Sequence, residues 1–124
     1  MRFRALILSC AVTLLAAAPV LAKDGDVERS GTCTGSSSAK LKLSPENGRI
    51  EVEFEVDQNR TGVRWEVVLK RNGSQAAAAH PTTRGPSGSF ELRRVLADGA
   101  GADRVSAKAV SPSGETCRAQ ATFP

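Results

Sequence analysis

Glu51, Glu53, Glu55 and Asp57 form the densest run of titratable groups in the 124-residue chain. Alternate residues of an extended strand share one face, about 7 Å apart. Carboxylates at that spacing could support paired acid–base catalysis or gather oxygens around calcium. Calcium takes oxygens converging on a point from a loop, and the nearest such turn is Asp24-Gly25-Asp26 in the N-terminal segment. The run therefore reads as the solvated face of a strand, countered by Lys40, Lys42 and Arg93 from its neighbours.

Nucleophilic chemistry fares no better. His80 is the only histidine, and no serine sits in a Gly-x-Ser-x-Gly turn. Gly85-Pro86-Ser87-Gly88-Ser89 is glycine-rich but precedes no helix, so it lacks the dipole of a phosphate cradle. Two cysteines and one histidine, far apart, do not make a zinc site. The expectation is no catalytic residue, no metal and no cofactor. Asn59-Arg60-Thr61 and Asn72-Gly73-Ser74 match the glycosylation acceptor but read as chance matches on turns.

Cysteine usage depends on the ends of the chain. Arg2 and Arg4 precede an apolar stretch from Ala5 to Ala18, which is shorter than the about 20 residues a membrane span needs. Pro19 and Val20-Leu21-Ala22 follow, so residues 1–22 read as an export signal cut after Ala22. Ile7-Leu8-Ser9-Cys10 departs from a lipidation box at Leu8, and anchoring through Cys10 is not expected. Cleavage leaves Cys33 and Cys117, an even pair that oxidises after export. Closing nearly the whole domain into one loop is worth roughly 4–5 kcal/mol in chain entropy. Cleavage also reduces the basic residues from 17 to 15 against 13 acidic ones, with no basic run longer than Arg93-Arg94. Nucleic acid is therefore not an expected partner.

The elements that must position any site are strands. Ile50 to Asp57 alternates apolar and acidic residues at period two, and Val63, Trp65, Val67 and Leu69 repeat the alternation. Phe90 and Leu92, then Val105, Ala107 and Ala109, then Cys117, Ala119, Ala121 and Phe123 do the same, with Leu41 and Leu43 ahead of them. Ala76–Ala79 reads as a weak edge strand, and His80–Gly88 as a loop crossing between sheets. Turn chemistry falls at Ser44–Arg49, Asn72-Gly73 and Ser113-Gly114. Pairing Ser44 with Arg49 would set Lys42 against Glu51 and Lys40 against Glu53. The expected organisation is a partly disordered segment 23–38 carrying Cys33, followed by an all-β sandwich of about seven strands over 39–124.

Gly62 to Gly73, with Trp65, resembles the third strand of immunoglobulin and fibronectin type III domains. Val105 to Gly114 resembles their penultimate strand and final hairpin, and the layout is similar to small exported bacterial proteins of unknown function. Two features depart from those domains. The chain has no tyrosine for a tyrosine corner, and its cysteines lie in the terminal segments rather than the central strands. The resemblance implies a fold and no activity.

The functional expectation is a monomeric, secreted, non-enzymatic binding module. Its partner would be an extracellular protein, a polysaccharide or a cell-wall component. Arg64, Val68, Lys108 and Val110, near Arg118, form the candidate contact surface, with Arg84 in the loop Thr82–Ser87 as a second candidate. A secreted protease inhibitor presenting Thr82–Gly88 is the alternative, weakened by the absence of a disulfide anchoring that loop. A hydrolase ranks last.

Overall fold

The computed structural model describes residues 25–124, so the export signal, its cleavage site and Cys10 lie outside the described residues. The described chain is all-β: β1 (Val27–Ser30), β2 (Thr32–Cys33), β3 (Ser38–Glu46), β4 (Arg49–Asp57), β5 (Glu66–Arg71), β6 (Ser74–Ala79), β7 (Ser89–Ala97), β8 (Asp103–Val110) and β9 (Thr116–Phe123). They form two antiparallel sheets, ordered β1-β3-β4-β7 and β2-β9-β8-β5-β6.

Alternation along each strand builds the sandwich. β4 buries Ile50, Val52, Phe54 and Val56, while β8 and β9 bury Val105, Ala107, Ala109, Cys117, Ala119, Ala121 and Phe123. Leucines, valines and phenylalanines dominate the inner face of the four-stranded sheet, and alanines that of β8 and β9. Large side chains on one sheet thus meet small ones on the other, which interdigitate within a single core layer. Trp65, just ahead of β5, is fully buried and meets Phe90 with ring centroids 6.1 Å apart. Its indole Nε1 donates to Gln58 Oε1 at 3.1 Å.

The loop between β6 and β7 crosses from one sheet to the other, as its composition predicts, and Ala76–Ala79 lies in an edge strand. One expectation needs correction. The register of the first hairpin is Glu46 with Arg49, so Ser44 faces Glu51, Lys42 faces Glu53 and Lys40 faces Glu55. Asn47 and Gly48 both take positive φ, 47° and 76°, which closes a two-residue turn and lengthens both strands. Opposite charges still meet, displaced from the expected pairs. The strands number nine, against the about seven expected, with β1 and β2 lying in segment 23–38.

Those two short strands divide the N-terminal segment between the sheets. β1 pairs with β3 and β2 with β9, and Gly31 between them donates its N–H to Ala39 O at 2.8 Å. A Cβ at Gly31 would lie 2.5 Å from the Arg118 carbonyl oxygen, so only glycine fits the crossing. Beyond β2, Thr34 Oγ1 accepts from Thr116 N at 2.9 Å, and Ser37 Oγ donates to Glu115 Oε1. The Cys33–Cys117 disulfide spans directly opposed positions of β2 and β9, with Cα atoms 4.0 Å apart and the cysteines 84 positions apart in sequence.

Candidate functional site

The two outer faces differ in how their charges are satisfied. On the four-stranded sheet, Arg93 Nη2 lies 2.9 Å from Glu51 Oε2, and Lys42 Nζ lies 3.5 Å from Glu53 and 3.8 Å from Asp26. Lys40 reaches Glu28 at 3.4 Å. The hydrogen bond from Arg93 lowers the Glu51 carboxyl to about 2, and Glu51 in turn raises Arg93. Glu53 is pushed up, first by desolvation and then by its contact with Glu51, while its charge raises Lys42. Two of the four carboxylates, Glu51 and Glu53, are thus held by cations of neighbouring strands, Glu55 lies between Lys40 and Glu91 in the register, and Asp57 accepts from Asn59 N at 2.9 Å.

The five-stranded sheet presents the opposite case. The inward alternation of Val67, Leu69, Val105, Ala107 and Ala109 turns Val68, Lys70, Ser106 and Lys108 outward. Val68 lies opposite Lys108, and Lys108 opposite Arg118, which itself faces Thr32 on β2. A register shift after Leu69 sets Gln75 rather than Ala76 against Lys70. This bulge places an amide beside an ammonium on the same side of the sheet. Together these residues line a groove of about 550 Å³ with Val68 as its outward apolar side chain. Among the described residues, Lys70, Lys108 and Arg118 make no ion pair.

A second cleft of about 530 Å³ is lined by Arg64, Glu66, His80, Val110, Ser111 and Pro112. His80 Nε2 stands 3.8 Å from Glu66 Oε1, both largely exposed. The predicted contact surface is therefore divided. Val68 and Lys108 are cross-strand neighbours in the first groove, and Arg64 and Val110 line the second. Arg84 lies in neither, on the loop between β6 and β7. That loop is fixed by the buried Thr83, whose Oγ1 donates to Arg60 O at 2.6 Å and accepts from Val63 N at 3.0 Å.

Sequence reasoning missed Lys70, Gln75, Ser106, Gln120 and Thr32 of β2 as groove lining. The outward phase of Lys70, Ser106 and Gln120 was readable from the alternation. The bulge that aims Gln75, and the docking of β2 onto β9, leave no trace in the pattern. Among the described residues, no three of His, Cys, Asp and Glu converge to hold a metal ion, and no helix is long and apolar enough to cross a membrane. No protein family, curated protein or solved structure matches the chain.

Proposed function

We propose that this chain is a secreted, non-enzymatic binding module of the immunoglobulin/fibronectin type III-like kind, which takes its ligand on the outer face of the five-stranded sheet. The observation that carries the reading is the open groove whose lining, among the described residues, holds three cations without an ion pair and no acidic residue. Cations gathered in a concavity without carboxylates favour an oppositely charged ligand, whereas Lys40, Lys42 and Arg93 on the other sheet each have a carboxylate partner.

Strand order supports the family reading. With β3, β4 and β7 taken as A, B and E, the second sheet runs G, F, C and C′ through β9, β8, β5 and β6. Trp65 then opens strand C as the buried core tryptophan. A disulfide in a small domain supports action outside the reducing cytoplasm. The inhibitor reading has less support, because Thr83 turns into the core and leaves only a short exposed tip at residues 84–87.

A cosedimentation assay with surface material of the producing cell tests the reading. The wild-type chain is expected to be retained. Val68→Glu, which sets a carboxylate in the groove, is expected to stay in solution with an unchanged circular dichroism spectrum. Equal behaviour of the two chains would refute the groove as the binding site.

A further inference from the structure

We infer that the groove on the five-stranded sheet takes a linear polysaccharide carrying about one carboxylate per sugar, a polyuronate; this rests on the binding-module reading above. The groove crosses the strands rather than following them. Its lining passes from Thr32 on β2 through Arg118 and Gln120 on β9, Ser106 and Lys108 on β8, and Val68 and Lys70 on β5 to Gln75 on β6. Five strands spaced about 4.8 Å apart give a path of roughly 20 Å.

The cations follow that path. Arg118 and Lys108 face each other across neighbouring strands, and Lys70 lies one strand further on, diagonal to Lys108. Arg118 and Lys108 thus stand one inter-strand step apart, and Lys70 about 7–8 Å from Lys108 along the diagonal, so the three charges are spread along the groove at intervals that carboxylates on successive sugars can meet through flexible side chains. Arg118 suits a carboxylate through its planar pair of N–H donors, and the two lysines act as point charges. Thr32, Ser106, Gln75 and Gln120 add hydroxyls and amides, the donors and acceptors that sugar hydroxyls need.

Other ligand classes fit less well. Phe54, Trp65, Phe90 and Phe123 are all buried, so the described surface offers no aromatic platform for a neutral sugar or an unpaired base. Protein interfaces draw most of their affinity from buried aromatic and arginine anchors, yet among the described residues Val95, on the other sheet, is the only large hydrophobic residue standing exposed. Sulfated glycans and duplex DNA carry denser charge than three cations can match.

Isothermal titration of the mature, oxidised chain with polygalacturonate is the direct test, with carboxyl-reduced polygalacturonate, dextran sulfate, duplex DNA and polyglutamate run alongside. Polygalacturonate is expected to bind, to release as salt rises, and to lose affinity when its carboxylates are reduced. Lys108→Gln and Arg118→Gln should each weaken it about tenfold. Arg94→Gln, on the opposite sheet, should leave it unchanged. Tighter binding of dextran sulfate, DNA or polyglutamate than of polygalacturonate would overturn the assignment, as would wild-type affinity in the two groove variants. Absence of polygalacturonate binding, with cell-surface retention still abolished by Val68→Glu, would reject the polyuronate alone and leave the binding module standing.

Discussion

Asp103 shows how a single carboxylate can hold three segments. It is almost wholly buried, and its Oδ1 accepts from Arg71 Nε at 2.8 Å and from Asn72 Nδ2 at 3.1 Å. Oδ2 accepts from Gly99 N at 3.2 Å. Asn72, already committed to positive φ in the β5–β6 turn, uses its Oδ1 to accept from Arg104 N, so turn and strand are locked together. The hydrogen bond from Arg71 dominates and holds the Asp103 carboxyl below the ordinary carboxylate range, against the opposing effect of burial. A carboxyl lowered on folding contributes stability that is complete above the unfolded value and fades as pH falls through the folded one. Asp103→Asn is therefore expected to lower the melting temperature at neutral pH by roughly 5 °C or more. Acidification through the depressed range should narrow that difference, because the wild-type chain loses the same charge. A constant difference across the acid range in calorimetric scans would show that the ion pair contributes nothing. None of this was legible in sequence, since Asp103 and Arg71 are 32 positions apart and meet only through the β5–β8 pairing. The carboxylate run of β4 was legible because strand alternation alone decides which face it occupies.

At the level of elements, Gly31 determines where the N-terminal segment can go. It lets the chain leave β1 on one sheet and join β2 on the other within a single residue. The atom that a methyl group would strike is the backbone carbonyl of Arg118, which cannot rotate away as a side chain can. Relief requires β2 to lift from β9, loosening the groove wall that Thr32 provides. Gly31→Ala is expected to cost about 1–3 kcal/mol, and hydrogen exchange at Thr34 N, which bonds Thr116 O, should accelerate. An unaltered denaturation midpoint would mean the crossing has slack that the geometry does not show. Periodicity was blind to β1 and β2 because strands of four and two residues are too short to display a period. It was also silent on register. The alternating faces of β3 and β4 survive a slip by two residues, and only the positive φ of Asn47 and Gly48 selects the observed pairing.

Over the whole molecule, the disulfide and the charge distribution serve different ends of one arrangement. The N-terminal segment runs along an edge of each sheet, and Cys33 ties it to the last strand. Such short strands have few backbone hydrogen bonds with which to hold themselves, and two-residue β2 is the weakest. The bond therefore acts in two ways. It removes freedom from an 84-residue loop in the unfolded chain, and it keeps β2 on the wall of the groove. The pairing was legible from a cysteine count; its second role was not, because no pattern places Cys33 opposite Cys117 beside Arg118. Replacing both cysteines by alanine should lower stability by about 2–5 kcal/mol, most of it through the unfolded chain. The sandwich should still form, since its hairpins and the core from Leu41 to Phe123 do not depend on the bond. Urea unfolding monitored at Trp65 would read the stability loss as a lower midpoint. Hydrogen exchange at Thr34 would report β2 detaching in the folded state. A lower midpoint with Thr34 still protected would assign the bond to chain entropy alone. An unchanged midpoint would contradict both roles.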